Sequence, residues 1–372
     1  MRQAETGGLS RSGECRGMKT NDVKTCYVPW VSNNMYTDNV RRLLAEAGFP
    51  CYSIKSCLKN PALFVQCRIF NFNWFEKAEN RRTYLAKLAL LRMLKLFGKK
   101  IVYTLHNKRP HNTDANDYST KLMIRMCEAS DAIVGLCRDT FSVVEDLSPE
   151  SKEKVRIIPH PNYVYNYNAL PCQDYRKKYG FEEDSVVFLF LGFISPYKNV
   201  ETLIETIKQI QNGKIKLLIA GRPCDEAYRA KLLSLAGKDN NIVFDFRYIP
   251  DEEIASFYNT ADIVVMPYQK TSSLNSGAVY LSFSLGKTVI CPDIGTIKDL
   301  KSKSFVYDYT YETDSEHSRH LREAILQAIE DFDKDPELVK EKGQEALAYV
   351  TEHHSDQLIE KQYLELYDSL IH

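Results

Sequence analysis

The sequence predicts an α/β protein of two doubly wound, Rossmann-like domains facing a cleft. Three observations carry this reading. Short β-rich runs alternate with helical patterns from residue 24 onward, as parallel strands joined by helical crossovers require. The alternation breaks at VRIIPHPNYVYNYNALP, whose prolines and Tyr/Asn turn formers read as an interdomain linker at 159–171, and then restarts. The 372 residues also exceed what one domain ordinarily holds.

In the first half the strand-like runs are KTCYVPW, CRIFNFN, KIVYTLH and AIVGLC, with helical patterns at 36–48, 77–97 and 117–129 between them. The first helix stops at Gly48. In the second half VVFLFLG, KIKLLIAG, NIVFDF, DIVVMPY and KTVICPD alternate with helices at 200–211, 226–236, 252–259 and 276–285. Strands so continuously apolar fit sheets covered on both faces. The tail from Ser315 is helical, and QLIEKQYLELYDSL is amphipathic, with Leu358, Tyr363, Leu366 and Leu370 near one face. This organisation sets a disordered lead-in at 1–17, with Met18 as an alternative start, an N-terminal domain at 18–165, a C-terminal domain at 172–352 and a last helix at 355–371.

Composition excludes several classes. With 44% hydrophobic and 26% charged residues the chain is globular rather than disordered or collagenous. The longest apolar run, 186–194, is half of what a spanning helix needs, and 1–17 lack the apolar segment of a secretory signal. Ten cysteines include no C-x-x-C pair and most sit in apolar runs, as Cys67, Cys127 and Cys291 do; reduced thiols in a cytoplasmic protein are expected. The formal net charge is zero, yet residues 1–170 carry 26 basic and 16 acidic side chains, a net of +10 balanced by −10 in the rest. Such a dipole points to an anionic partner, a membrane surface or a polyphosphate. Nucleic acid is not expected, because none of its recognition motifs is present.

Ligands of open parallel sheets bind outside the carboxyl ends of the strands. The site therefore belongs between the domains, in the loops at 30–36, 71–76, 106–111, 192–198, 221–222, 247–250, 268–277 and 293–296.

FLGFISPYKNVETLIE, IAGRP, FRYIPDEEIASFYNTADIVVMPY and SSLNSGAVYLSFSLGKTVICPDIGT follow in that order in the second half, and NNMYTDNVRRLLAEAGF, FNFNWFE, IVYTLHNKRPHN and IPHPNYVYNY in the first. Over about residues 24–370 these motifs resemble GT-B glycosyltransferases. The second half is similar to enzymes that build bacterial glycans on the cytoplasmic face of the membrane, the first to polysaccharide β-mannosyltransferase-like enzymes. The resemblance implies a GT-B fold whose last helix returns to the N-terminal domain. It also implies transfer of a hexose from a UDP- or GDP-linked nucleotide sugar to a glycan or lipid-linked acceptor.

The donor site has a physical basis of its own. A Gly-rich turn feeding a helix N-terminus offers unpaired N–H groups and a favourable dipole to a diphosphate, and Asn275, Ser276 and Gly277 fit that description. Lys198 adds a cation where the family carries a phosphate-binding lysine. Gly192 and Arg222 complete the donor set; Phe193 and Ser195 stand where an accompanying arginine is expected, and Arg222 is available in its place. Composition alone also fits a plainer reading, in which Ser276-Gly277 caps a helix and Lys198 is a solvated charge.

Many retaining members carry two glutamates eight residues apart, and the matching positions are Ser273 and Leu281. Their loss favours an inverting enzyme, in which an N-domain side chain deprotonates the acceptor hydroxyl. The candidate bases are His106 and His111 in TLHNKRPH and Glu76 in NFNWFE, with Asp38 next. An imidazole suits the role near pH 7, whereas a glutamate needs its pKa raised by burial. A retaining enzyme and a nucleotide-sugar-binding pseudoenzyme subunit are the alternatives. No metal or other cofactor is expected: DFDKD lies in an acidic helical stretch rather than past a strand, and no His/Cys/Asp cluster has ligand spacing. Residues 76–100, with eight basic and two acidic side chains among leucines, read equally as a membrane-surface helix or a solvated helix packed on the core.

Overall fold

The computed structural model describes residues 23–32, 34–109, 117–167, 172–210 and 212–372. The expected lead-in at 1–17, Met18 and His111 lie outside them. Two six-stranded sheets are present. The first contains β1 (Lys24–Val28), β2 (Cys51–Ser53), β3 (Cys67–Asn73), β4 (Lys100–Leu105), β5 (Ala132–Gly135) and β6 (Val155–Ile157) in the order β2-β1-β3-β4-β5-β6. The second contains β7 (Val186–Leu191), β8 (Ile215–Ala220), β9 (Ile242–Asp245), β10 (Ile263–Val265), β11 (Thr288–Pro292) and β12 (Tyr307–Tyr309) in the order β12-β11-β10-β7-β8-β9. Every strand pair is parallel. Strand order reverses beside β1 in one sheet and beside β7 in the other, and a crevice opens at such switch points.

The helices of the first half are α1 (Met35–Glu46), α2 (Ile54–Lys59), α3 (Pro61–Gln66), α4 (Arg81–Leu96), α5 (Tyr118–Ala129), α6 (Thr140–Leu147) and α7 (Val164–Tyr167). Those that follow are α8 (Arg176–Tyr179), α9 (Val200–Gln209), α10 (Glu226–Ala236), α11 (Asp251–Thr260), α12 (Gly277–Ser284), α13 (Gly295–Lys298), α14 (Asp314–Lys334), α15 (Pro336–His353) and α16 (Asp356–Ile371). Local chemistry sets their starts. The Asn34 side chain accepts from the Tyr36 N–H ahead of α1, and Ser355 caps α16 through the Leu358 N–H. The helix expected from residue 77 begins at Arg81 instead, because Asn80 turns extended and accepts from Thr83.

Two further differences have physical reasons. β2, β6 and β12 are three residues each and, unlike the equally short β10, read CYS, VRI and YDY rather than as an apolar run. The stretch read as a linker is packed up to residue 167: Ile158, His160, Asn162 and Tyr163 are buried, and Asn162 Nδ2 donates to the His354 carbonyl at 2.9 Å. Pro159 and Pro161 end β6 without exposing the chain there, whereas Tyr165 beyond them is exposed.

Each sheet is covered on both faces. In the first, Phe70, Phe72, Tyr103 and Met126 pack on one side, while Tyr27, Ile69 and Val102 pack on the other against α1 and α16. The last helix thus crosses back over the first sheet, burying Ile359, Tyr363, Leu366 and Tyr367 and pairing Asp356 with Arg42 at 2.6 Å. Leu358 and Leu370, expected on that face, are half-buried at its margins. DFDKD lies across the end of α14, where Asp331 accepts from the Tyr307 hydroxyl at 2.8 Å. The nine described cysteines are free thiols. Among the described residues no helix is long and apolar enough to cross a membrane.

One helix crossing makes a sharp prediction. Gly343 in α15 faces the Gly286 turn after α12, where an added Cβ would sit 2.1 Å from the Gly286 carbonyl oxygen. Replacing a mid-helix glycine by alanine usually stabilises by about 1 kcal/mol. Here the obstacle is backbone, so Gly343→Ala should instead destabilise by about 1–3 kcal/mol, in the range of overpacked cores. A higher melting temperature for the variant in calorimetry would show that the crossing is looser than described.

Candidate active site

The carboxyl ends of the two sheets enclose a cleft with adjoining cavities of about 420 and 390 Å³. Asn34, Asn107, Tyr197, Asn275 and Gly277 line both, so the space is continuous. The loop after β4 is seated against the loop after β10. Asn107 and Ser273 form an antiparallel bridge, the Lys108 N–H donates to the Ser272 carbonyl at 3.3 Å, and Asn275 Nδ2 donates to the His106 carbonyl at 2.9 Å.

The first cavity is walled mainly by the N-terminal half. His106, 6% exposed, hydrogen-bonds Asn73 Oδ1 through Nε2 at 3.0 Å. Its ring stacks on Trp74 at 3.9 Å and meets Tyr36 edge-on at 5.1 Å. Burial depresses its pKa well below the ordinary imidazole value, so it is held neutral. Glu76, three residues past β3, is 4% exposed and accepts from the Tyr103 hydroxyl at 3.1 Å. Burial raises its carboxyl above the usual range, against smaller opposing effects from its own backbone hydrogen bond, Tyr103 and Lys87. His160 completes this wall, stacked on Tyr280 at 5.1 Å.

The second cavity is walled mainly by the C-terminal half. Ser276 caps α12, accepting from the Val279 N–H at 3.4 Å, and its own N–H donates to Thr296 Oγ1 at 2.9 Å. Among the described residues the N–H groups of Gly277 and Ala278 have no protein acceptor; they are the free donors that a helix start leaves. The bare Cα of Gly277 keeps this turn open, since a Cβ there would lie 3.0 Å from the Tyr163 hydroxyl and 3.2 Å from His160 Nε2. Lys198 is half-buried, with Nζ 3.5 Å from the Tyr268 ring centroid. Burial lowers its pKa, and among the described residues no carboxylate pairs with it.

Of the residues expected from the sequence, His106 and Glu76 line the first cavity, and Gly192, Lys198, Asn275, Ser276 and Gly277 the second. Lys198 is not the freely solvated charge of the plainer reading. Arg222 lines neither cavity: it is exposed beyond Gly221, and only its carbonyl meets this region, accepting from the Ile194 N–H at 3.0 Å. Asp38 also lines neither and pairs with Arg41. Ser273 and Leu281 both line the second cavity, so the wall lacks carboxylates where the two glutamates were sought. Asp251 supplies one instead, its pKa raised by burial and nearby acids. Asp251 lies one residue beyond the loop at 247–250, and His160 falls in the stretch at 159–171 that was read as linker. Among the described residues no group of three or more His, Cys, Asp or Glu side chains is placed to hold a metal ion.

Residues 172–346 match the family described as glycosyl transferases group 1. The chain is 25% identical over 268 residues to a GDP-mannose:glycolipid 4-beta-D-mannosyltransferase of Xanthomonas campestris, a match spanning 68% of this chain and 70% of that protein. Among solved structures, sucrose-phosphate synthase from Thermosynechococcus elongatus superposes with a TM-score of 0.70 at 16% identity, over 95% of this chain and 97% of that one. Anabaena HepE, solved in complex with UDP, superposes with a TM-score of 0.67 at 12% identity, over 94% of this chain and 100% of that one. At these identities the structures show a shared fold.

The buried histidines make stability pH-dependent. Burial holds His106 well below its ordinary pKa, His160 at about 3, and His317 and His354 at about 4. Unfolding returns each to about 6.5. Between those values the unfolded chain binds more protons, so stability is full above about pH 6.5 and falls toward pH 4, each site costing up to about 1.4 kcal/mol per pH unit. Urea melts at pH 7.5 and 5.0 should differ by several kcal/mol; equal midpoints would show that these imidazoles stay hydrated.

Proposed function

With the chain a glycosyltransferase of GT-B fold whose residues 172–346 form a glycosyl transferases group 1 domain, we propose that it moves a hexose from a UDP- or GDP-linked donor to a glycan or lipid-linked acceptor, with inversion at the anomeric carbon. One observation carries this reading. An anion-binding turn and a half-buried cation on the C-terminal wall face a neutral imidazole and a buried carboxyl on the N-terminal wall of one continuous cavity.

The donor diphosphate lies against the Gly277 and Ala278 N–H groups, where the α12 dipole favours negative charge, and Lys198 adds a charge-assisted contact. These groups compensate the charge that builds on the departing nucleoside diphosphate, so metal-independent turnover is the expectation. The acceptor hydroxyl gives its proton to the N-terminal wall as its oxygen bonds to the anomeric carbon. The bond from that carbon to the phosphate oxygen breaks on the opposite side. His106 is the leading base because it is held neutral and borders the cavity, and Glu76 is the second. Ser273 and Leu281 support inversion, since neither can form a glycosyl ester. The Xanthomonas relative points the same way, because its name pairs GDP-mannose, an α-linked donor, with a β-linked product. That name also supports a glycolipid acceptor.

A lipid acceptor calls for a membrane-facing surface, and the α2–α3–α4 corner is suited to it. Leu58, Val65, Leu96 and Phe97 are 51%, 70%, 85% and 61% exposed there, with exposed Arg68 lining the same corner and exposed Arg92 one turn before Leu96 on α4. Anionic lipid satisfies both features. Part of the basic charge in 76–100 serves the fold instead: Lys87 donates to the Phe75 carbonyl at 2.7 Å, Lys99 to the Phe64 carbonyl at 2.6 Å, and Lys95 pairs with Asp131 at 3.1 Å.

Lys198→Ala should weaken donor affinity by about tenfold or more, and Gly277→Leu should weaken it further by blocking the turn. Unchanged affinity of UDP- and GDP-sugars for both variants in calorimetry would sink the donor assignment. His106→Ala should leave donor affinity within a few-fold while lowering kcat by about 100-fold; a Glu76→Gln loss of that size with His106→Ala active would move the base to Glu76. NMR of the product should show the inverted anomer, and turnover should survive EDTA. Donor binding without transfer or hydrolysis would make the chain a nucleotide-sugar-binding subunit.

A further inference from the structure

Parallel strands buried on both faces are ordinarily apolar, yet β3 reads CRIFNFN and buries two carboxamides, Asn71 at 0% and Asn73 at 1% exposure. Two residues apart, they share the sheet face that packs on α16. A buried amide is costly unless its partners are in place, and here they form one row. Asn71 Nδ2 donates to the Tyr367 hydroxyl oxygen at 2.9 Å, Asn73 Nδ2 donates to Asn71 Oδ1 at 3.1 Å, and Asn73 Oδ1 meets His106 Nε2 at 3.0 Å.

The row has a direction. Asn73 Nδ2 also donates to the Val28 carbonyl at 3.3 Å. A carbonyl only accepts, so the Asn73 amide is oriented with Oδ1 toward the imidazole, and Nε2 must carry the hydrogen. In the neutral ring the lone pair then belongs to Nδ1. The ring plane is set as well, by the Trp74 stack and the Tyr36 edge, and the Tyr36 hydroxyl is 3.2 Å from that of Tyr363 on α16.

We propose that Tyr367 and Asn71, acting through Asn73, are positioning residues that hold His106 as its Nε2–H tautomer, so that the last helix of the chain selects which nitrogen accepts the acceptor's proton. This rests on the reading of His106 as the base. A wholly structural role, in which the amides merely pin α16, predicts a loss of stability with no change in tautomer.

Two readouts separate the cases. In full-length protein with ¹⁵N-histidine, wild type should show the His106 hydrogen on Nε2. Asn73→Leu removes the acceptor and should populate both tautomers, lowering kcat by about 10- to 100-fold while donor affinity and KM stay within about twofold. Tyr367→Phe deletes one oxygen from the far end and should move the same signals partway, with a few-fold loss in kcat; it keeps the test open if Asn73→Leu folds poorly. An unchanged Nε2–H signal in the folded variants, with kcat per folded molecule at the wild-type value, overturns the relay. The base assignment fails separately: if His106→Ala turns over normally, His106 is not the base, whatever the tautomer measurement shows.

Discussion

The cleft depends on how the loop after β4 is seated against the loop after β10. His106 begins the first loop and the α12 turn ends the second, so one contact surface sets the distance between the proposed proton acceptor and the proposed diphosphate cradle. That surface is built mainly from backbone, the Asn107–Ser273 bridge and the Lys108 N–H on Ser272, with the Asn275 side-chain amide on the His106 carbonyl. The ion pairs around it, Arg138–Asp299 and Lys298–Asp139, are partly exposed and add little to its strength. Register comes from the bonded backbone, and a shift of one residue would detach Asn275 from His106.

Desolvation then gives the two walls different characters. On the N-terminal side it keeps His106 and His160 neutral and raises the pKa of the Glu76 carboxyl, with Lys77 at the exposed rim of the same wall. On the C-terminal side it removes water from Lys198, which no carboxylate pairs with among the described residues, and the α12 N–H groups add the positive end of a dipole. These characters suit the proposed diphosphate on one wall and the proposed acceptor hydroxyl on the other. The sequence-level charge imbalance is a poorer guide to this arrangement, because several N-terminal lysines are engaged by backbone carbonyls or by Asp131 rather than by a ligand.

Most of the architecture was legible in the sequence because long apolar runs such as VVFLFL and KIVYTL can satisfy their backbones and side chains together only in a covered parallel sheet. β2, β6 and β12 were not, since CYS, VRI and YDY are short and broken by polar residues, unlike the IVV of β10. The site was legible where a strand was seen to end, which is how His106, Glu76 and the 275–277 turn were reached. His160 was lost to the linker reading of 159–171, and a proline-rich run that looks solvated is buried beneath α15 and α16 because its polar groups find partners in His354. The exposure of Arg222 was not legible either: a strand end fixes where a loop starts, not which way a long side chain leaves it.

The asparagines of β3 mark the one strand whose composition contradicts its burial, and such local contradictions concentrate where function is built. Their partners explain why α16 ends on the first sheet although the chain has just completed the second. Ile359 and Leu366 supply apolar cover that other side chains could supply equally well. Tyr363 and Tyr367 supply hydroxyls at two fixed heights, one reaching Tyr36 and the other Asn71, and both paths end at the imidazole of His106. Helix docking and orientation of the His106 ring are therefore coupled: fraying of α16 around Tyr363 and Tyr367 would loosen the N-terminal core and release the ring together. On the proposed mechanism, domain closure alone would then leave the chemistry incomplete, since the chain must also return its final helix from the second half to the half that carries His106.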